Sequence, residues 1–258
     1  MADPVHIAAI DAGSNAVRLS VARAYSALDI EPLVNERFPL RLGEGVFVRH
    51  RFSEDLLKKG VKAFKHLNEI MDEYGVTKYR AVATSASREA RNSGTLVHRV
   101  KQATGIRLEV ISAKEESRLG RDAAIAALGP ESSPNCVVDL GGGSLEINIL
   151  RDHSILQSAQ LPIGTVRLMT TLGIPGVIRP TQLEQVRRYF RALLESRIPD
   201  RPNLADQLCV ALGGNAETLA NVAPGPRREG LPTLEVSLLR ERLPDILQRD
   251  VRERMKAY

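Results

Sequence analysis

The stretch AAIDAGSNAVRL at residues 8–19 decides the fold, because CVVDLGGGSLEI at residues 136–147 repeats its pattern. In both stretches an apolar run reaches an aspartate, Asp11 or Asp139, a turn containing glycine follows, and a segment with alternating apolar residues returns. Alternation with a period of two on either side of a short turn indicates a β-hairpin. Aligning the two aspartates also aligns the first glycine of each turn. The chain is therefore predicted to contain two copies of one hairpin, each opening one half of a duplicated architecture.

Helices and strands alternate in the rest of the chain. Residues 53–74 have apolar positions at helical spacing, with Ser53 as the predicted N-cap and Gly75 as the stop. Further strands are predicted at 79–83, 108–112 and 208–212, and further helices at 115–128, 181–197 and 234–258. This alternation predicts an α/β protein. We divide it into an N-terminal domain, residues 1–120, and a C-terminal domain, residues 121–258.

The net charge of the chain limits the classes of molecule that it is expected to bind. The 258 residues carry a formal net charge of +5 and include 28 arginines but only 8 lysines. An excess of arginine suits polyanionic partners, because the guanidinium group binds phosphate through two hydrogen bonds. The chain has no tryptophan, five tyrosines and five phenylalanines, so it offers few rings for stacking on bases. We therefore expect no DNA partner, and composition leaves nucleotides and polyphosphate open.

Targeting signals and cysteines indicate a compartment. The sequence contains no apolar run of about 18 residues and no secretory signal, which predicts a soluble cytoplasmic protein with no membrane partner. The two cysteines, Cys136 and Cys209, each lie in an apolar run. We expect both to be small core side chains in a reducing compartment rather than a disulfide or a metal site.

The paired hairpins suit the binding of phosphate and a divalent cation. Backbone N–H groups in the turns would face phosphate oxygens, while Asp11 and Asp139 would hold a cation such as Mg²⁺. Glu146, on the strand that returns after Asp139, would supply a third carboxylate. A P-loop or a dinucleotide-binding turn is not supported, because the chain lacks Gly-x-x-x-x-Gly-Lys-Ser/Thr and its glycine triplet leads into a strand.

Five further segments join the two hairpins in a recognisable order. They are LGEG (42–45), ATSASREARN (83–92), ISAKEESRL (111–119), LPIGTVRL (161–168) and LGGN (212–215). Together with the hairpins they resemble the exopolyphosphatase and guanosine pentaphosphate phosphohydrolase family, the Ppx/GppA phosphatases, in its short two-domain form. The resemblance implies two actin-like domains of the ribonuclease H-like class with a cleft between them. It also implies release of phosphate from inorganic polyphosphate, or from guanosine pentaphosphate to give the tetraphosphate, by a homodimer.

The resemblance assigns roles residue by residue. Glu116 matches the glutamate that deprotonates the attacking water, and its neighbour Glu115 is the alternative. Arg88 matches an arginine directed at the substrate's phosphates, where a guanidinium group stabilises charge on the transferring group. Arg18 and Arg167 also match family positions, and the only role we expect for them is a contribution to a positive cleft. The Mg²⁺ ligands would be Asp11, Asp139 and Glu146, and the phosphate-binding residues Gly13, Ser14, Asn15, Gly141, Gly142, Gly143 and Ser144.

Two other functions remain open at this point. The first is a non-catalytic sensor that binds guanosine tetra- or pentaphosphate or polyphosphate, which the intact acidic set at Asp11, Glu116, Asp139 and Glu146 disfavours. The second is a kinase of the actin-like class, which would release almost no phosphate without an acceptor. The family usually continues past residue 258 into one more strand and helix, so we expect the C-terminal domain to lack these elements.

Overall fold

The computed structural model describes residues 3–27, 29–129, 131–173, 177–199, 207–228 and 230–257. The chain divides into two compact units, Met1–Glu116 and Ser117–Tyr258. Helix α5, defined below, crosses this division, and the boundary predicted at 120/121 falls within the same helix. No helix among the described residues is both long and apolar enough to cross a membrane.

Unit 1 is built on a five-stranded sheet in the order β3-β2-β1-β4-β5. Strands β1, β2 and β3 form an antiparallel meander, and β4 and β5 add to β1 in parallel. The strands are β1 (Val5–Ala12), β2 (Val17–Ala24), β3 (Ile30–Phe38), β4 (Lys78–Ala83) and β5 (Leu108–Val110). The helices are α1 (Val46–Arg49), α2 (Glu54–Glu73), α3 (Ser85–Glu89) and α4 (Ser93–Thr104).

The core of unit 1 follows from the alternation that predicted the hairpin. Ile10 and Leu19 are fully buried on one face of the sheet, and α2 contributes Phe64 and Leu67, which are also fully buried. Helix α2 begins as predicted, because the Leu56 N–H donates a hydrogen bond to Ser53 Oγ at 3.2 Å. The predicted stop is confirmed as well: Gly75 has a φ of +60°, which favours glycine.

Unit 2 is built on a four-stranded sheet in the order β8-β7-β6-β9. Strands β6, β7 and β8 form an antiparallel meander, and β9 adds to β6 in parallel. The strands are β6 (Cys136–Leu140), β7 (Leu145–Arg151), β8 (Ser154–Leu161) and β9 (Cys209–Leu212). The helices are α5 (Ala113–Leu128), α6 (Thr165–Leu172), α7 (Pro180–Arg197), α8 (Gly214–Val222), α9 (Val236–Gln248) and α10 (Val251–Ala257).

The two sheets share one topology, which confirms the duplication predicted from the hairpins. In each, a hairpin continues into a third antiparallel strand on one side and receives a parallel strand on the other. Both units are therefore actin-like α/β domains. Strands β3 and β8 were not predicted, because neither sequence alternates polar and apolar residues: β3 contains Pro32, and β8 is half polar.

The prediction for the two cysteines is half right. Cys136 on β6 is buried, 2 % exposed, as expected, but Cys209 on β9 is exposed. Among the described strands β9 pairs only with β6, so it is an outer strand of the sheet and an apolar sequence does not bury all of its side chains. The two residues are direct partners in the β6–β9 register. Burial, aided by the neighbouring Cys209 thiol, raises the pKa of Cys136 to about 12.

Candidate functional site

The first hairpin ends in a two-residue loop. The Gly13 N–H donates a hydrogen bond to the Ala16 carbonyl at 3.0 Å, which leaves Ser14 and Asn15 as the loop. The Gly43 N–H donates to the Ser14 carbonyl at 2.8 Å. A Cβ at Gly43 would lie 2.6 Å from the Phe47 ring and 3.2 Å from Ser14 Cβ, so the absence of a side chain permits this close packing. Within the part of the chain that the structure describes, the N–H groups of Ser14 and Asn15 have no acceptor.

Two buried hydroxyl groups in unit 1 have no hydrogen-bond partner among the described residues. They are Ser14 Oγ in the loop and Ser87 Oγ in α3, on residues that are 4 % and 2 % exposed. Leaving such a group unpaired costs about 1–3 kcal/mol. A hydrogen bond from Ser14 Oγ to a phosphate oxygen, or to a water bound with the phosphate, would remove this cost. Ser14 was assigned to phosphate binding from the sequence. Ser87 was not predicted, because a serine in a short helix carries no distinctive signal.

The second hairpin repeats the first in detail. The Gly141 N–H donates to the Ser144 carbonyl at 3.0 Å, so Gly142 and Gly143 form a two-residue loop. Gly13 and Gly141 thus use their N–H groups to close the two hairpins. By contrast, the N–H groups of the two central residues of each loop, 14–15 and 142–143, donate no backbone hydrogen bond among the described residues. These central groups are the ones that an anion would meet first.

Helix α6 holds the second loop through the loop's carbonyl groups. The Thr165 N–H donates to the Gly141 carbonyl at 3.1 Å and the Arg167 N–H to the Gly142 carbonyl at 3.0 Å. Arg167 Nε also donates to the Gly143 carbonyl at 2.6 Å. A Cβ at Gly164 would overlap the backbone of Gly142 and Gly143, so only glycine fits there. Arg167 therefore has a structural role: its backbone N–H and its side chain hold the two central residues of the loop by their carbonyl groups.

Two predicted metal ligands, Asp139 and Glu146, face each other across the second hairpin. They are direct partners in the antiparallel register of β6 and β7. Glu146 is 2 % exposed and accepts a hydrogen bond from Gln160 Nε2 at 2.6 Å. Gly213, at a φ of +85°, lies beside Asp139, where a Cβ would come within 3.2 Å of Asp139 Oδ1. Like charges directly opposite each other destabilise a sheet, and a divalent cation would relieve this repulsion.

The residues present fit a magnesium site with few protein ligands. Among the described residues, no three His, Cys, Asp or Glu side chains are grouped so that they could hold a metal ion together. Mg²⁺ commonly binds through one or two carboxylates and completes its shell with water and substrate phosphates. Asp139 and Glu146 provide such a pair in unit 2, and Gln160 orients one of the carboxylates.

Asp11, the third predicted ligand, begins a row of charged residues in unit 1. Arg18 is its partner across the first hairpin, and Arg18 Nη1 lies 3.9 Å from Asp11 Oδ2. Arg37 is in turn the partner of Arg18 across β2 and β3. Two cations in directly opposite positions repel each other. Arg37 is a candidate anion-binding residue that the sequence did not reveal, because β3 itself was not predicted.

The structure separates the two adjacent glutamates. Arg88 Nη1 donates to Glu116 Oε2 at 2.7 Å and to the Ile111 carbonyl at 3.1 Å. The Arg88 and Glu116 side chains are each only 20 % exposed. Glu115 instead binds Arg80 at 3.2 Å, on the more exposed surface. The pKa of Arg80 is raised, mainly by its hydrogen bond to Glu109 and then by that to Glu115. Only Glu116 therefore contacts the arginine that was assigned to phosphate.

Comparison with known proteins identifies the group to which this chain is related. The model of the Ppx/GppA phosphatase family matches residues 20–246. The chain belongs to the Ppx/GppA phosphatase family. Exopolyphosphatase 2 of Mycobacterium tuberculosis is 31% identical over 225 residues, covering 84% of this chain and 70% of that protein. Exopolyphosphatase 1 of Mycobacterium leprae is 32% identical over 164 residues, 64% of this chain and 48% of that protein.

Solved structures of Ppx/GppA proteins have the same fold. The Ppx/GppA enzyme of Aquifex aeolicus superposes with a TM-score of 0.74 at 29% identity, covering 99% of this chain and 85% of that one. An exopolyphosphatase from Cytophaga hutchinsonii superposes with a TM-score of 0.75 at 28% identity, covering 84% of this chain and 69% of that one. The family membership that the sequence predicted is thus confirmed.

Proposed function

We propose that this protein is a magnesium-dependent exopolyphosphatase that removes terminal phosphate groups from inorganic polyphosphate. The observation that carries the proposal is the 2.7 Å contact between Arg88 and Glu116. It sets a cation suited to a phosphoryl group beside a carboxylate suited to activating water. Relatives named exopolyphosphatase, at 31% and 32% identity, support the substrate class.

The reaction needs positioning and charge neutralisation more than a covalent intermediate. The oxygen of a water molecule attacks the terminal phosphorus, and the bond from that phosphorus to its bridging oxygen breaks. Glu116 accepts a proton from the water, and Arg88 stabilises negative charge on the transferring group. The shortened polyphosphate leaves with the bridging oxygen, and orthophosphate is the second product.

Each unit has its own groups suited to phosphate. In unit 1 the N–H groups of the 14–15 loop and Ser14 Oγ are donors for phosphate oxygens, and in unit 2 the N–H groups of the 142–143 loop are such donors. Asp139 and Glu146 would hold Mg²⁺, which would neutralise part of the negative charge on bound phosphate. Arg18 and Arg37 bind phosphates further along the polyphosphate. The negative charge of these phosphates relieves the repulsion between the two arginines.

Phosphate release separates this function from the alternatives. The protein is incubated with long-chain polyphosphate or with guanosine pentaphosphate, each with Mg²⁺ and with EDTA, and no acceptor is added. We expect release that needs Mg²⁺ and that is faster with polyphosphate, because a net charge of +5 attracts a long polyanion more strongly than a single nucleotide. Binding without release would indicate a sensor. Release only from guanosine pentaphosphate would show that the nucleotide, and not polyphosphate, is the substrate. Release only with an added acceptor would indicate a kinase.

A further inference from the structure

The lysines of this chain are concentrated in one helix. The chain contains 8 lysines against 28 arginines, and four of the lysines, Lys58, Lys59, Lys62 and Lys65, lie in the 20 residues of α2. Lys59 is paired with Asp55 at 2.7 Å. Since arginine carries most of the positive charge elsewhere, this group of lysines is a local departure from the composition of the chain.

The other three lysines share one face of α2. Lys58, Lys62 and Lys65 are spaced by four and then three residues, so they form a row about 10 Å long on the helix surface. All three are exposed and form no ion pair with the described residues, although Lys58 acts electrostatically on Glu54, one turn earlier in the helix. Lysines three and four residues apart repel each other, which slightly destabilises the helix. A bound polyanion would remove that cost.

A groove continues this row toward α4. Lys58, Val61, Arg99, Gln102 and Ala103 line a groove of about 380 Å³ between α2 and α4, within unit 1. Glu54, which lies one turn before Lys58, is occupied by a hydrogen bond from Arg99 Nη1 at 2.5 Å. The groove thus has cationic and amide donors and a short apolar floor, and no aromatic ring lines it. Without a ring, it lacks the stacking surface typical of single-stranded nucleic acid sites.

We propose that the surface formed by Lys58, Lys62, Lys65 and the α2–α4 groove, here called the lysine face, is a second binding site for long-chain inorganic polyphosphate. This proposal rests on the proposed function for its choice of polyanion. Flexible lysines suit a flexible linear chain of phosphates, because they act as point charges and impose no fixed geometry. By holding the chain outside the catalytic residues, the lysine face increases the local concentration of long substrates and leaves short ones unaffected.

The test compares two triple variants with the same change in charge. Lys58→Gln/Lys62→Gln/Lys65→Gln removes the lysine face. Arg187→Gln/Arg188→Gln/Arg191→Gln removes three exposed arginines from α7, and serves as the control. Binding of long-chain polyphosphate and of tripolyphosphate is measured in EDTA at several salt concentrations, so that the result does not depend on hydrolysis. A third variant, Lys58→Arg/Lys62→Arg/Lys65→Arg, retains the charge.

We expect the lysine variant to bind long-chain polyphosphate about tenfold more weakly, since each exposed lysine contributes a weak surface ion pair. The salt dependence should also decrease, by about 2 in the slope of log affinity against log salt concentration for three lost contacts. Tripolyphosphate binding should stay within about twofold, and the arginine variant should restore binding of the long chain. With Mg²⁺ present, KM for long chains should rise while kcat is unchanged.

Two results would overturn the proposal that the lysine face binds long-chain polyphosphate. One is an equal loss of affinity in the α7 control, which would show a general effect of net charge. The other is unchanged binding of long-chain polyphosphate by a folded lysine variant, as checked by its circular dichroism. A failure of the proposed function is distinguishable from both. In that case the wild-type protein would release no phosphate from polyphosphate, whatever the binding measurements show.

Discussion

Replacement of Gly164 by alanine tests how the second loop is held. A Cβ at this position would overlap the carbonyl group of Gly142 and the nitrogen of Gly143, and neither is a flexible side chain that could move aside. Helix α6 and the loop must therefore separate. Separation weakens three hydrogen bonds, from Thr165 N–H, Arg167 N–H and Arg167 Nε, at 3.1, 3.0 and 2.6 Å.

Each of these bonds contributes about 1 kcal/mol net, and relieving overlap in a packed region costs about 1–3 kcal/mol. Loss of all three bonds would bring the total to about 4–6 kcal/mol. Because the bonds are weakened rather than lost, we expect a loss of about 3 kcal/mol in the free energy of unfolding, which corresponds to a decrease in Tm of about 6–12 °C. Phosphate release should fall as well, because the N–H groups of the loop move. The measurement is thermal unfolding by calorimetry, with phosphate release from the same samples below Tm.

Gly94→Ala is the matched control for this substitution. Gly94 lies in α4, and a Cβ there would meet nothing within 4 Å. Alanine favours a helix over glycine, so Tm should be unchanged or slightly higher. If Gly164→Ala retained the wild-type Tm and activity, or if both variants lost the same stability, the role assigned to α6 would be refuted.

Three further predictions concern the remaining parts of the site. Gly213→Ala, which forces a side chain at a φ of +85° and toward Asp139, should raise the Mg²⁺ concentration needed for half-maximal activity; an unchanged titration would contradict the contact. Arg37→Gln should weaken polyphosphate binding without lowering Tm, since it removes repulsion from Arg18; a lower Tm would show that Arg37 is structural. Because the pKa of Cys136 is raised from 9.0 to about 12, the folded state keeps a proton that the unfolded state loses. Stability should therefore decrease between about pH 9 and pH 12, by up to about 1.4 kcal/mol per pH unit, and denaturant titrations of Cys136→Ala should show a smaller decrease than those of the wild type.

The sequence predicted the parts of the fold that depend on local pattern. Both hairpins, helix α2 and its Ser53 cap follow from alternation, helical spacing and turn residues within short windows of the chain. The outer strands β3 and β8 were missed because their polar and apolar residues do not alternate along the sequence, so no period of two could be detected. Cys209 was misjudged for a related reason, since an apolar sequence does not show that its strand is an outer one.

The sequence predicted which residues belong to the candidate site, but it did not predict which of them contact each other. The sequence identified Glu116 and Arg88 by resemblance, yet only the fold shows that they contact each other and that Glu115 contacts Arg80. Adjacent residues in a helix point about 100° apart, so one step along the chain decides which glutamate meets the arginine. The contact of Gly164 with the second loop joins segments distant in the chain, and no local pattern could reveal it.

The most direct test of the proposed function compares Glu116→Gln with Glu115→Gln. The two substitutions are adjacent, equal in size and equal in charge. Glu116→Gln removes the carboxylate that Arg88 contacts, whereas in Glu115→Gln Arg80 retains its ion pair with Glu109. Phosphate release from long-chain polyphosphate is measured with Mg²⁺, and binding of the same substrate is measured in EDTA. We expect Glu116→Gln to lose about 10²–10⁴-fold in kcat while it still binds polyphosphate, and Glu115→Gln to stay within about twofold of the wild type. Wild-type turnover in Glu116→Gln, or the larger loss in Glu115→Gln, would contradict the assignment of Glu116 as the base.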